Sequence, residues 1–250
     1  MIKKIVILLL SITVPAIYFY YSGKQKEIMP FNDIFDKQPL VGFQEPYELS
    51  YTHFDRAYDC DETISSYNQL IKNTDYIVLV EVLSRKQLSN TFETTVKIHQ
   101  TIKGNLKDSI VVYEPMAYQR DTNMISIDGY LPWMKNNQIY LVFLNESMVE
   151  CYYHFTSSLF GCFPIKNKLS CQTYDYCTKE GELTFLDYQS VLNNDVIEFD
   201  FKNYLSLTSN DQELIDKINN YQNQIYKYKQ TQQLIMNHIE SIKEGNYIFD

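Results

Sequence analysis

The chain has 250 residues, 45% hydrophobic and 21% charged, which is room for one sizeable domain or two small ones. Seven glycines and seven prolines exclude collagen-like and Pro/Gly low-complexity chains. Acidic residues outnumber basic ones 31 to 22, a formal charge of −9, and Lys3, Lys4, Lys24 and Lys26 all precede the first acid. The rest is therefore more acidic still, repels phosphate backbones, and is not expected to bind nucleic acid.

Behind Lys3 and Lys4 runs an uncharged stretch, residues 5–21, rich in Ile, Leu, Val, Tyr and Phe. About 17 residues at 1.5 Å each reach roughly 25 Å, the short end of what spans a bilayer core. Tyr18, Tyr20 and Tyr21 fall at the expected outer interface, and Lys24 and Lys26 can snorkel beyond it. The rival reading is a cleaved signal peptide with its small-residue site at Val14-Pro15-Ala16. Both readings place the body outside the cytoplasm: a single-pass cell-membrane protein in the first, a secreted one in the second.

Five cysteines follow, Cys60, Cys151, Cys162, Cys171 and Cys177. Outside the cytoplasm thiols tend to pair, so two local disulfides are predicted, Cys151 to Cys162 and Cys171 to Cys177, leaving Cys60 over. Zinc, with His154 as a further ligand, is disfavoured because no close C-x2-C knuckle occurs.

Residues 24–46 carry Pro30, Pro39 and Pro46 and no sustained periodicity, and read as a spacer onto which Phe31, Ile34 and Phe35 can pack back. Ile64, Tyr67, Leu70 and Ile71 then recur at helical spacing, which predicts a helix over 61–72 capped by Asp61 or Thr63. The apolar run 76–82 predicts a strand buried on both faces. Strict alternation from Phe92 to Lys103 predicts a half-exposed antiparallel strand, and Lys103-Gly104-Asn105 a turn. Further strands are predicted over 109–114, stopped by Pro115, and over 138–144 after the turn-like Lys135-Asn136-Asn137. Residues 152–155 and 160–165 complete a possible hairpin. Short strands between turn signals, without a strand-helix alternation, predict a small antiparallel barrel or sandwich rather than a parallel sheet.

The series "LIKNTDYIVLVEV", "TTVKIHQTIKGNLKDSIVVYEP", "LPWMKNNQIYLVFLN" and "FGCFPI" resembles uncharacterised exported proteins of Gram-positive bacteria. More loosely it is similar to the netrin/tissue-inhibitor-like OB barrel. The resemblance runs from about Ile64 to Ile165 and implies a helix, then barrel strands closed by a G-x-F strand. It brings no catalytic residue, and Asn136-Asn137 stands where the pattern carries a glycine.

The C-terminus is the most regular part. Leu214, Ile218, Tyr221, Ile225, Tyr228, Gln232, Ile235, Ile239 and Ile242 step alternately by four and three. Ser209 or Asn210 can cap the start and Gly245 the end, so one helix of about 30 residues with a heptad seam is expected. The seam either pairs with a second copy as a coiled coil or covers the chain's own barrel.

No G-x-S-x-G, H-E-x-x-H or phosphate-cradling glycine loop occurs. His53, His99, His154 and His238 have no partner at ligand spacing, and the acids around Cys60 raise rather than lower a thiol pKa. The acids Asp55, Asp59, Asp61 and Glu62 lack the interleaved calcium loop and read as a solvated helix start. Asn145-Glu146-Ser147 matches a glycosylation sequon, and the 22 tyrosines fall largely at strand and heptad positions. No catalytic residue, cofactor or metal is therefore assigned.

The expected architecture is α+β: anchor or signal at 1–23, spacer at 24–46, a β-rich extracytoplasmic domain at 47–207 and a long amphipathic helix at 208–245. The expected role is a membrane-tethered, non-catalytic binding module, whose partners are the membrane and another protein or itself. Its alternatives are an envelope enzyme using scattered carboxylates and an inhibitor or immunity-type protein.

Overall fold

The computed structural model describes residues 34, 36–44, 60, 64–88, 91–114, 116–119, 121–128, 133–147, 151–208 and 212–243. In chain order they form β1 (Leu40–Gln44), α1 (Tyr67–Asn73), β2 (Tyr76–Leu88), β3 (Thr91–Lys103), β4 (Ser109–Glu114), β5 (Met116–Gln119) and β6 (Met124–Asp128). There follow β7 (Ile139–Glu146), β8 (Tyr152–Phe155), β9 (Cys162–Pro164), β10 (Cys171–Asp175) and β11 (Leu186–Asp187). Last come α2 (Tyr188–Asn193), β12 (Val196–Asp200), α3 (Lys202–Leu207) and α4 (Gln212–Lys243).

Five strands close into a barrel, β2-β3-β4-β8-β7 and back to β2. All neighbours are antiparallel except β4 and β8, which run parallel. The long apolar β2 makes closure possible: it pairs with β3 along its length and with β7 from Tyr76 to Glu81. Val78, Val80 and Val82 point inward with Val96, Val112, Val142 and Leu144, while Ile77, Leu141 and Phe143 face outward into a second core. The apolar run of β2 is thus buried on both faces, as its sequence predicts. A register shift after Val82 makes Leu83 an extra residue, and it points to solvent at 57% exposure. Beyond this bulge the odd-numbered residues point inward, which carries Arg85 inside the barrel's end.

The hairpin predicted from 152 to 165 does not form. β8 and β9 lie one after the other along the same edge of β7, and neither pairs with the other. Between them residues 156–161 loop out, and Phe143 closes the loop's mouth, its N–H donating to Gly161 O and its carbonyl accepting from Thr156 N. Only glycine fits at 161, where a Cβ would lie 2.4 Å from the Phe155 Cβ. At the turn before β7, Asn137 takes φ 59°, so an asparagine fills the left-handed position.

The α1 helix starts later than predicted. Ser66, rather than Asp61 or Thr63, is its N-cap and accepts from Gln69 N. Two smaller sheets surround the barrel: β11-β1-β6-β5, with β1 and β6 parallel, and the parallel pair β10-β12 joined through α2. These parallel pairs depart from the antiparallel expectation, and β1 lies inside the stretch expected to be a spacer, with Ile34 fully buried beside it.

At 32 residues α4 is about 48 Å long and closes the second core. Ile218, Tyr221, Ile225, Tyr228, Ile235 and Ile239 are buried in it, Leu214 packs against its rim, and the side chain of Ile242 lies outside the described residues. Tyr228 stacks on Phe163 at 4.7 Å, and Gln232, the polar break in the seam, donates to Lys166 O at 2.8 Å. The seam therefore packs on its own chain, and the coiled coil is not supported.

The helix expected at 1–23 lies outside the described residues. Among those described, no helix is long and apolar enough to cross a membrane.

Candidate functional site

Two buried ion clusters hold the layers together. At the barrel's end, Arg85 Nε donates to Glu114 Oε1 at 2.5 Å, with both side chains 1% exposed. Thr94 Oγ1 donates to the same carboxylate, and Met134 N donates to its other oxygen at 2.8 Å. Arg85 also donates to Met134 O and to Asn136 Oδ1. The pair thus pins the 133–137 loop across the barrel mouth. Removing one partner alone would strand a buried charge, at a cost of about 3–5 kcal/mol.

The second cluster centres on Asp195, its side chain 2% exposed. It accepts from Ser170 N and Oγ at 2.7 and 2.6 Å and pairs with Lys166 and Lys135. Burial alone would raise the Asp195 pKa, but the hydrogen bonds from Lys166 and Ser170 outweigh it and hold the carboxyl below its ordinary value. Burial dominates at Lys135 and lowers its pKa, with Asp195 opposing in part. Lys135 also donates to Asn194 O at 2.5 Å, which ties the barrel loop to the start of β12. Between the clusters lies a cavity of about 30 Å³ lined by Glu114, Trp133, Lys135, Tyr140, Asp195 and Tyr228. It has room for a water or two and none for a substrate.

The larger concavity is a groove of about 440 Å³ between α4 and the β10-β12 pair, lined by Thr173, Glu198, Asp200, Lys202, Tyr221 and Ile225. That volume falls in the range of ligand sites. Glu198 pairs with Lys229, and Asp200 with Lys202 at 2.7 Å. At Glu198 burial raises the pKa, but the hydrogen bonds from Lys229, Cys171 and Thr173 and the Lys229 charge together outweigh it and hold the carboxyl below its ordinary value. Tyr221 caps one side of β12: its hydroxyl donates to Ile197 O and accepts from Phe199 N.

Among the described residues the opposite border of the pair is open. Val196 N donates to Ser170 O and Tyr176 N to Asp200 O, so the even-numbered residues of β10 turn their backbone toward β12. By strand alternation the N–H and C=O groups of Cys171, Thr173 and Asp175 point the other way. All three residues are exposed, and among the described residues β12 is the sole strand beside β10.

The predicted disulfides are not formed; all five cysteines are free thiols. Cys171 begins an extended strand that still donates to β12 at Tyr176, so Cys177 lies well over 13 Å away at about 3.3 Å per residue. Cys162 opposes Val142 of β7, while Cys151 lies beyond the pairing of Tyr153 with Glu146, at least about 13 Å along the same edge. A disulfide needs Cα atoms within about 7 Å. Cys60 donates to Phe155 O at 2.9 Å.

The histidines stay apart. His99 bonds Glu81 at 3.0 Å on the surface, and His154 Nδ1 meets Phe155 O at 2.9 Å. His53 and the acids 55, 59, 61 and 62 lie outside the described residues, as does the side chain of His238. Among the described residues no three His, Cys, Asp or Glu side chains are grouped to hold a metal ion. The sequon Asn145 accepts from Asp75 N at 2.9 Å and serves the β2–β7 junction. Neither ion cluster nor the open edge was found from sequence, because their members lie far apart along the chain or alternate without an apolar signal.

No family model, curated protein or solved structure matches this chain.

Proposed function

We propose that this protein is a membrane-tethered extracytoplasmic module, built on an OB-like barrel, that binds an extended segment of another protein. The observation that carries the reading is the open edge of β10 beside the groove along α4. An unpaired strand edge is a template for a further strand, with main-chain bonds for affinity and an adjoining pocket for selectivity. The strand order supports the OB-like assignment, since the first, second, third, fifth and fourth barrel strands follow one another around the circle. The apolar run at 5–21 supports the tether. An inhibitor-type role would use the same edge. The envelope-enzyme reading would rest on Glu114 and Asp195, the two carboxylates at the internal cavity, and both are engaged by Arg85, Lys135, Lys166 and backbone donors.

Selecting random peptides on the immobilised full chain tests the reading. Bound peptides are expected to protect the amides of Cys171, Thr173 and Asp175 from hydrogen exchange, and Thr173→Pro, which removes an outward donor, to abolish binding with the unfolding midpoint unchanged. Peptides that leave those amides unprotected would refute it.

A further inference from the structure

We infer that the outward face of β1 and β11, extended by Leu183 and Leu207, rests on the surface of a zwitterionic bilayer. The inference depends on the tether proposed above. Leu40 and Phe185 are each 47% exposed, Leu207 48% and Leu183 53%. The four belong to one surface. Leu40 opposes Asp187 and Val41 opposes Leu186, so Gly42 comes next to Phe185, whose ring lies 3.3 Å from where a Gly42 Cβ would stand. Leu186 is buried, and by alternation Leu183 and Phe185 share the opposite, outer side. Leu183 is bridged to Cys177, the carbonyl of Cys177 accepts from Asn203 of α3, and Leu207 of the same helix lies against Gly181.

The position of the chain outside this body identifies the occupant. The apolar run ends at Tyr21, and the first described strand begins at Leu40, itself a member of the face. The chain arriving from the membrane is thus first described at the buried Ile34, six residues before Leu40 brings it onto this surface. About 12 residues, 22–33, lie between the apolar run and Ile34 and reach at most about 40 Å, enough to lay the face on the bilayer. Once the tether is inserted, contact by the face is an intramolecular event, so a modest apolar area suffices. The exposed acids Glu180, Glu182 and Asp187 border the face, against Lys179 and Lys37, which favours neutral over anionic headgroups.

The full chain, reconstituted in phosphatidylcholine vesicles, tests this with a photoreactive side chain. Leu207→p-benzoylphenylalanine and Leu183→p-benzoylphenylalanine are expected to give lipid adducts by mass spectrometry, several-fold more than Tyr226→p-benzoylphenylalanine on the exposed side of α4. The yield is expected to fall when phosphatidylserine replaces a third of the lipid. Protein that floats with the vesicles but gives no lipid adduct at 183 or 207 overturns the inference and leaves the tether standing. Equal yields at all three positions overturn it, as do adducts to a second copy or to residues 5–21. Protein that does not float removes the tether and this inference with it.

Discussion

Ile225 decides what the heptad seam of α4 is for. It is 3% exposed within the second core, one turn from Tyr221 and Tyr228, whereas its neighbour Tyr226 is 60% exposed. Truncating a buried isoleucine to alanine costs about 2–5 kcal/mol through lost transfer energy and the cavity left behind. Ile225→Lys loses the same packing and must either desolvate an ammonium in the core or turn it out toward Glu198 and Asp200 of the groove, so the loss is expected at the upper end of that range. Against a total stability of about 5–15 kcal/mol, the variant is expected to be largely unfolded or to unfold in dilute urea. Tyr226→Lys, one residue on, is expected to change stability by less than about 0.5 kcal/mol. Urea titration of the full chain in mild detergent, followed by far-UV circular dichroism and the fluorescence of Trp133, separates the two. Trp133, the single tryptophan, is 6% exposed and stacked on Tyr188 at 5.8 Å, so its emission reports the core. A folded Ile225→Lys protein of halved mass would show that the seam pairs two copies and would refute the packing described here. A fragment beginning at Pro46 is unsuited to the measurement, because it deletes β1 and with it the link between β6 and β11.

Two further outcomes are expected. The folded-state pKa values of Asp195 and Glu198 lie below their unfolded ones, so the unfolded chain binds more protons in acid. Their contribution is fully present above the ordinary carboxylate range and is lost as pH falls through the folded values; the urea midpoint is expected to drop from about pH 6 to about pH 3. Asp195→Asn should flatten that slope, and an unchanged slope would refute the assignment. Mass mapping without reduction should recover no peptide joining Cys151 to Cys162 or Cys171 to Cys177. In the folded protein a maleimide should label Cys151 fastest, Cys171 more slowly because burial and the Glu198 hydrogen bond raise its pKa, and the half-buried Cys162, its pKa pushed well up by burial, and the fully buried Cys177 last. Rapid labelling of Cys162 would contradict the packing of β9 beneath α4.

Periodicity alone located β2, β3, β4, β7 and α4, because each is long or regular enough for its pattern to be a local property of the chain. The apolar run of β2 even carried its two-sided burial, and the break at Gln232 marked the polar position that Lys166 O accepts from. Other features depended on partners remote in sequence. β1 is five residues in a proline-bearing stretch, and it is a strand because β6 and β11, far along the chain, flank it. β8 and β9 looked like a hairpin because short strands near each other usually pair; the open edge of β7 offered both a partner instead. The cysteine pairs failed for the same reason, since spacing along the chain says nothing of the extended strand that holds Cys171 and Cys177 apart. Arg85 and Glu114, or Lys135 and Asp195, read as surface charges in a linear sequence. A bulge after Val82 and the approach of β12 to the barrel loop put them out of water and opposite one another, and burial of a charge is a property that only the tertiary structure can confer.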